Sequence, residues 1–248
     1  NDLVGYWGLD SSTEALIFDG SGDYITFGTG LGTFFGDNYA GDITISTWVR
    51  NNNASQDAGI FRIGTTSNTG NISLTYSSNL YYINLDEADS GGPDWYASSG
   101  AGYNDTTSWH HIVFVYNSTS PKMYIDGVLL SAGWNLTGLP SNFDMNGNTT
   151  EIGKNGTGTW NGNISQVAVY NKELSSTQVT TQYNLGIEGD YSSDSGLVGY
   201  WKLDTASTSS NAITDLSTNS NHGTVQGNPT LGGVVHDSTS NNNDGTLV

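Results

Sequence analysis

The sequence predicts an all-β protein, folded as an antiparallel β-sandwich of the jelly-roll type with one short helix and a strand-rich C-terminal tail. Three observations support this prediction: many short runs alternate apolar and polar residues, turn residues separate these runs at even spacing, and only one helix signal occurs. A period of two is typical of strands with one buried face. Strands that follow one another without intervening helices favour a sandwich over a parallel βαβ sheet.

The predicted strands are bounded by glycine, asparagine and aspartate. Asp126-Gly127 gives the strongest turn signal, because a type I′ hairpin turn needs a positive φ at both central residues. The runs predicted as strands are Ala15–Phe18, Tyr24–Phe27, Ile43–Val49, Gly59–Gly64, Ile72–Tyr76, Tyr81–Leu85, Trp109–Tyr116, Lys122–Ile125, Val128–Leu130 and Ile164–Tyr170.

The one helix signal lies near residue 180. Ser175 and Gln178 have the spacing of a capping box, in which each side chain bonds the backbone N–H of the other residue. Val179 and Tyr183 follow at helical spacing, and Gly186 is a natural end point. We therefore expect a short helix that begins just after Ser175.

Charge and hydropathy each exclude one class of partner. The chain of 248 residues has 24 acidic residues against 6 lysines and arginines, which gives a net charge of −18. Such a chain has no basic face to displace phosphate counterions, so we predict no nucleic-acid binding. No apolar run is long enough for a membrane span, so we predict no membrane insertion. There is no cysteine, and hence neither a disulfide nor a thiolate metal site.

Two segments of the chain are repeated. Leu3–Asp10 reads LVGYWGLD, and Leu197–Asp204 reads LVGYWKLD. A polar stretch without periodicity, Glu188–Ser195, precedes the second copy and is interpreted as a linker. Further on, Asp215–Val225 and Asp237–Leu247 share aspartate, asparagine, glycine and threonine in register.

Four segments together resemble the laminin-G-like, concanavalin A-like lectin and glucanase superfamily, in the form common in bacterial, archaeal and phage surface proteins. They are ALIFDGSGDYITF (15–27), ITISTWVR (43–50), SWHHIVFVYNSTSPKMYIDGVLL (108–130) and GNISQVAVYNKELSSTQVTTQYN (162–184). The resemblance implies a concanavalin A-like jelly roll, a place outside the cell or on a cell or virion surface, and binding to glycans or another surface.

The chain departs from the family pattern at its start. In the family, the opening strand is followed by an Asn-rich segment and only then by the FDG strand, whereas here Asp10 is followed almost directly by Ala15–Phe18. The missing segment occurs twice in the tail instead. We predict a jelly-roll domain over 1–187, a linker over 188–195, and a partial second repeat or strand-donating tail over 196–248.

Three interpretations of the tail stay open. It is the truncated start of a second domain, or it folds back and completes the first domain, or it completes a neighbouring copy of the chain by strand addition. We expect it to pack as strands, in cis or in trans, because an unpaired edge strand is a liability.

An enzymatic site is not predicted. Glucanases of the superfamily have acids in a Glu-x-Asp-x-x-Glu pattern on one strand, which serve as nucleophile and general acid. The nearest match is Asp86-Glu87-Ala88-Asp89, and its spacing is wrong, since Asp86 points away from Glu87 and Asp89. We therefore name no catalytic residue and interpret this stretch as a solvated loop.

Calcium is the cofactor that this acidic chain favours, because hard carboxylate and amide oxygens on loops suit it. The alternative for every such residue is the capping of an Asx-turn. The candidate ligands are Asp144, Asn146, Asn148 and Glu151 in one stretch, and Asp19 and Asp23 around a glycine turn.

Sugar binding is predicted for the tyrosine-rich stretch from residue 76 to 103. Sugars stack their C–H faces on aromatic rings and bond their hydroxyls to polar groups. The alternative is ordinary packing on a sandwich face. The candidate ligand-binding residues are Tyr81, Tyr82, Asp86, Asp94, Trp95 and Tyr96.

The other aromatic and histidine signals are weaker. Trp134 and Trp160 fall in predicted loops, where they could add to a sugar site. His110 and His111 are neighbours in a strand and point to opposite faces, so they cannot bind one metal together. We expect one of them to be half-buried and the other exposed.

These observations predict a non-catalytic extracellular surface module for carbohydrate binding or adhesion, whose partners are glycans or cell-surface polymers. The alternative is a structural subunit of an extracellular filament, fibre or virion surface, in which residues 196–248 pack on another copy of the chain.

Overall fold

The fold was analysed in a computed structural model of the chain. The structure describes residues 13–64, 71–85, 95–100, 102–130, 139–156, 158–204, 208–209, 212–235 and 245–246. The first part of the chain forms the strands β1 (Thr13–Asp19), β2 (Tyr24–Phe27), β3 (Ile43–Asn51), β4 (Ala58–Ile63), β5 (Ile72–Ser77), β6 (Leu80–Leu85), β7 (Trp95–Ser98), β8 (His110–Tyr116), β9 (Lys122–Ile125) and β10 (Val128–Leu129).

The second part of the chain is equally rich in strands. These are β11 (Thr150–Ile152), β12 (Lys154–Asn155), β13 (Gly158–Thr159), β14 (Asn161–Tyr170), β15 (Leu197–Trp201), β16 (Thr208–Ser209), β17 (Ala212–Ile213), β18 (Gly223–Gln226), β19 (Thr230–Val235) and β20 (Gly245–Thr246). The α-helices are α1 (Gly30–Phe35) and α2 (Ser176–Leu185), and a 3₁₀ turn, Gly186–Glu188, follows α2.

Two antiparallel sheets make up the body of the protein. The first sheet has the order β10-β9-β8-β3-β14-β1-β19-β20, with β15 also paired to β14. The second sheet has the order β16-β17-β18-β2-β11-β4-β5-β6-β7, and β12 and β13 form a separate small hairpin. The architecture is a β-sandwich, as the alternating sequence predicts.

The main core lies between the two sheets. The first sheet contributes Ile45, Phe114 and Ile164, and the second contributes Phe61 and Leu74, all without solvent exposure. Each of these residues belongs to a strand that turns alternate side chains inward. This interior explains why the sequence alternates so regularly.

A second, smaller core covers the outer face of the first sheet. Helix α2 and the segments on both sides of it lie against Val113 and Tyr170 of the sheet through Leu174, Val179 and Tyr191. The outer face of the second sheet has no such helical cover among the described residues. The two outer faces therefore differ in what they can offer to a ligand.

Most local predictions are confirmed. The ends of the predicted strands lie within three residues of the observed ones, and the Asp126-Gly127 turn has φ values of 52° and 75°. The capping box at Ser175 and Gln178 forms with both of its hydrogen bonds. Helix α1 is an addition that the sequence does not predict, because six residues with two glycines show no helical period.

The C-terminal segment pairs with both sheets of its own chain. Strand β15 lies on β14 with Trp201 opposite Val167, β18 lies on β2, and β19 lies on β1. Trp201 is fully buried, and its ring lies 4.4 Å from that of Phe27. The division into 1–187, 188–195 and 196–248 stays a prediction, and Leu3–Asp10 falls outside the described residues.

Candidate functional site

The outer face of the second sheet carries a row of polar residues across neighbouring strands. Thr26 of β2 pairs with Glu151 of β11, Glu151 with Arg62 of β4, Arg62 with Ser73 of β5, and Ser73 with Asn84 of β6. The residues next to them along each strand fill the core, so strand alternation directs this row outward. We call these five residues the polar row.

The charges of the polar row are paired with one another. Nη2 of Arg62 lies 2.5 Å from Oε2 of Glu151, and Arg62 is only 5% exposed. Nζ of Lys154 lies 4.0 Å from the other Glu151 oxygen and 3.9 Å from the centre of the Tyr24 ring. The centre of this face therefore holds one carboxylate between two cations, with a tyrosine at one side.

Amide and hydroxyl groups make up the other half of the face. The Asn84 amide nitrogen donates to Oγ of Ser73 at 3.4 Å and to Oγ1 of Thr75 at 3.3 Å. Tyr82 is half-buried and pairs with Thr75 in register, and Ser98 pairs with Tyr82 on its other side. Hydroxyl, amide and carboxylate groups beside aromatic rings can bond the hydroxyls of a sugar.

The predicted ligand residues fall in three places. Tyr82 lies on this face, whereas Tyr81 is fully buried in the main core and cannot offer its ring to a ligand. Trp95 pairs with Leu85 and Tyr96 with Asn84, so β7 extends the same sheet. Asp86 and Asp94 fall outside the described residues. The tyrosine-rich stretch is thus divided by strand alternation, a signal that the sequence itself contains.

The predicted calcium ligands do not all converge. Oδ1 of Asp144 accepts the backbone N–H of Asn38 at 2.7 Å, and the Asn146 amide lies 3.4 Å from an Asp37 oxygen. Asn148 is largely buried and bonds the Asp144 carbonyl. Glu151 instead belongs to the polar row. Asp37, Asp144 and Asn146 are thus the polar side chains near one another here, they bond each other and the backbone, and calcium binding there stays a prediction.

Asp19 and Asp23 cap the backbone of their turn. Oδ1 of Asp19 accepts the N–H of Ser21 at 2.6 Å, and Oδ2 of Asp23 accepts the N–H of Asp19 at 3.1 Å. The other Asp23 oxygen accepts the N–H of Asn228 at 2.7 Å, which fixes the tail to this turn. These bonds are those of the Asx-turn alternative. Over the described residues, no group of three or more His, Cys, Asp or Glu side chains is placed to hold a metal ion.

The two histidines occupy different environments, and neither is exposed, which corrects the expectation for one of them. Nδ1 of His110 lies 2.8 Å from Oδ2 of Asp126, and this bond raises the pKa of His110. His111 is fully buried against Trp48, and burial lowers its pKa to about 4. The strand is covered on both faces, so the outward residue is also enclosed.

The tryptophans differ in burial, and one of them corrects an expectation. Trp160, predicted in an open loop, is fully buried between β13 and β14, where its ring meets that of Tyr76 edge-on. Trp109 is half-buried and lies 5.9 Å from the guanidinium of Arg50. Trp48 and Trp201 fill buried positions, and Trp134 falls outside the described residues.

The Arg62–Glu151 pair is the part of the site that sequence reasoning missed. Arg62 interrupts the apolar run AGIFRI, and Glu151 lies 89 positions away. A lone arginine in an apolar strand is a signal of a buried charge pair, because an unpaired buried charge is costly. The partner becomes evident only from the strand register.

Neither of the two α-helices within the described chain has the length and hydropathy that a membrane crossing requires.

Comparison with known proteins establishes the family. The profile of the concanavalin A-like lectin/glucanases superfamily matches residues 19–180, and the chain belongs to this superfamily. No curated protein matches the chain.

Solved structures with the same fold share little sequence with the chain. A proposed carbohydrate-binding protein of Bacteroides ovatus superposes with a TM-score of 0.63 at 21% identity, over 89% of this chain and 59% of that protein. Domain 4 of the extracellular arabinanase AbnA of Geobacillus stearothermophilus, solved with arabinotriose, has a TM-score of 0.50 at 22% identity, over 67% and 75%.

A pentraxin of Limulus polyphemus, a native heptamer, has a TM-score of 0.50 at 17% identity, over 70% of this chain and 82% of the pentraxin. At these identities the likeness concerns the fold alone. The chain spans 59% of the length of the Bacteroides protein.

Proposed function

We propose that the chain is a non-catalytic carbohydrate-binding module of an extracellular, cell or virion surface, and that the outer face of its second sheet binds the glycan. The observation that supports this most is the polar row, since it lines up hydrogen-bonding groups from five adjacent strands beside Tyr24 and Tyr82. Neighbouring strands lie about 4.8 Å apart, and an extended sugar chain placed across them would meet the half-buried side chains of Thr26, Tyr82 and Asn84, whereas Arg62 and Ser73 are largely buried.

Two of the similar structures support the same function. One is described as a proposed carbohydrate-binding protein, and another was solved with a bound arabinose trisaccharide. Their low identity to this chain means that they support the class of ligand and not its identity.

We further propose that the ligand is a neutral glycan. Arg62 and Lys154 both face the Glu151 carboxylate, so neither side chain is an unpaired cation for a carboxylate or sulfate. The net charge of −18 also repels polyanions at low ionic strength. Neutral sugars need only the hydroxyl and amide groups that the face presents.

A glycan array followed by calorimetry tests the site. We expect saturable binding to neutral glycans, and about tenfold weaker binding on Tyr82→Ala or Asn84→Ala, because each removes a ring or an amide at the polar row. Thr181→Ala, exposed on α2 at the opposite side of the sandwich, serves as the matched control and should bind unchanged.

Two outcomes would contradict the proposal. One is the absence of saturable binding across neutral and acidic glycans, and the other is full affinity in both face variants. Shortening of the bound glycan during incubation would instead show catalysis and exclude a purely binding role.

Calcium binding is a separate proposal for the loop of Asp144 and Asn146. If calcium binds there, millimolar calcium should raise the thermal unfolding temperature of the chain, because a ligand of the folded state stabilises it. Asp144→Asn should abolish that increase, whereas Asp19→Asn, whose carboxylate caps a turn, should keep it. An equal calcium-induced rise of the unfolding temperature in the unmodified chain and in both variants would exclude this loop as the site.

A further inference from the structure

Helix α2 is attached to the first sheet through a buried chain of polar groups. Oγ of Ser46 bonds Oε1 of Gln182 at 2.9 Å, and Nε2 of His111 lies 2.9 Å from the same Ser46 oxygen. On its other side, the Gln182 amide nitrogen bonds the Tyr170 hydroxyl at 2.7 Å and approaches Asp194 at 3.3 Å. We call these five residues the α2 latch.

The carboxylate of Asp194 fixes the direction of every hydrogen bond in the latch. It accepts from the Tyr170 hydroxyl at 2.9 Å, and it requires the NH₂ group of Gln182 on its side. Oε1 of Gln182 therefore faces Ser46 and accepts its proton. The Ser46 oxygen must then accept from His111, which places the His111 proton on Nε2.

This assignment leaves Nδ1 of His111 without a proton and without a partner. Nδ1 is buried and has no hydrogen-bond partner among the described residues. The imidazole is fully buried beside the Trp48 ring, at 4.9 Å between centroids, and Tyr183 of α2 lies 6.3 Å away. A second proton on this ring would create a buried cation whose new N–H has no acceptor.

The groups that face His111 do not compensate such a cation. Asp126, from the turn after β9, accepts the backbone N–H of His111 and bonds His110, so its carboxylate is already engaged. Asp194 is reached only through Ser46 and Gln182, and Tyr170 and Tyr191 are neutral. Burial outweighs the attraction of Asp126, and the pKa of His111 falls to about 4.

We propose that the α2 latch is an acid-sensitive switch: protonation of His111 at Nδ1 releases helix α2, and with it the segment that leads into β15, from the first sheet. Asp194 lies in that segment, three residues after the buried Tyr191, so the helix and the start of the tail are released together. Release uncovers the apolar surface of the second core, which includes Val113 and Leu197.

The sign of the pH effect follows from the lowered pKa. The attachment is complete above the ordinary histidine value of about 6.5, because the ring is then neutral in both the attached and the released state. It weakens as the pH falls from about 6.5 toward 4, where only the released state takes up a proton. At pH 4.5 the release equilibrium should increase on the order of tens of fold.

Hydrogen exchange tests the proposal. In the full chain, amides of α2 should lose protection by tens of fold between pH 7.5 and 4.5, after correction for intrinsic exchange, while β3 and β14 stay protected. His111→Gln keeps an amide N–H for Ser46 and cannot titrate, so α2 should stay protected at pH 4.5. His110→Gln, the matched control at the preceding residue, should still show the acid-induced loss of α2 protection.

Equal loss of α2 protection in the unmodified chain and in His111→Gln would overturn the proposal, as would unchanged protection in the unmodified chain. If His111→Gln does not fold, an NMR titration of the unmodified chain replaces it. The His111 ring should then titrate far below pH 6.5, together with the α2 resonances. Titration of His111 without a change in α2 would equally overturn the switch.

Discussion

Neighbouring histidines on β8 show how strongly one strand position differs from the next. His110 and His111 both bond Asp126, the first through its ring and the second through its backbone N–H. The ring bond raises the pKa of His110, whereas burial lowers that of His111. Folding therefore favours the protonated form of His110 and disfavours that of His111, although the two residues are adjacent in the chain.

The His110–Asp126 pair should stabilise the protein mainly at low pH. A histidine pKa that is raised by folding gives stability below the unfolded value of about 6.5, which is lost as the pH rises through the folded value. We expect His110→Gln to cost about 1 kcal/mol in urea unfolding at pH 5.5 and clearly less at pH 8.5. A larger cost at pH 8.5 would contradict the charge pair.

Residue identity alone did not separate binding residues from core residues. Tyr81 and Tyr82 were equal candidates by composition, and only the strand phase places the first inside and the second outside. The phase can be read from the alternation of Tyr81–Leu85, whose apolar members are Tyr81, Ile83 and Leu85. The sequence alone suggests Glu151 as a calcium ligand, because it does not reveal the arginine on the neighbouring strand.

At the scale of elements, prediction succeeded where a local rule fixes the geometry. The Asp126-Gly127 turn and the Ser175 capping box depend on residues within one turn of each other, and both form as expected. Helix α1 depends instead on burial of Leu31 and Phe35 against the body of the protein. Such tertiary stabilisation leaves no period in the sequence.

The capping box should contribute measurably to α2. Ser175→Ala removes the oxygen that accepts the N–H of Gln178, and we expect a loss of about 1 kcal/mol in the free energy of unfolding. Thr177→Ala, an exposed position inside the same helix, is the matched control and should stay within about 0.5 kcal/mol. Urea denaturation of the two variants gives the comparison, and equal losses would argue against the cap.

At the scale of the whole molecule, the sandwich could be predicted from the sequence, whereas the packing position of the tail is known only from the structure. Even spacing of alternating runs suffices for a sandwich, but the choice of sheet for each strand depends on contacts between distant residues. The repeated LVGYW segment indicated that the tail belongs to a sandwich without indicating which copy it joins. In the structure β15 pairs with β14 of the same chain, and packing within one chain rather than on another copy stays a prediction.

Removal of the tail should therefore damage the isolated molecule. A chain that ends at Gly189 loses Trp201 from the core and exposes the edges of β1 and β2. We expect the full chain to be a monomer by light scattering, and the shortened chain to unfold at lower urea concentration or to aggregate. Trp201→Ala in the full chain isolates the core contribution and should cost about 3–5 kcal/mol.

Large assemblies of the full chain that disappear on shortening would contradict packing within one chain. They would favour the interpretation in which the tail completes a neighbouring copy.

The pairing of β1 with β19 also determines when the protein can fold. Leu16 lies opposite Leu231, and Ile25 lies opposite Val225, in each case about two hundred residues further along the chain. Such distant partners can pair only after residues 223–235 have left the ribosome, and topologies rich in them fold slowly. Until then the early strands stay open at their edges, which makes synthesis the period in which this protein is most exposed to aggregation.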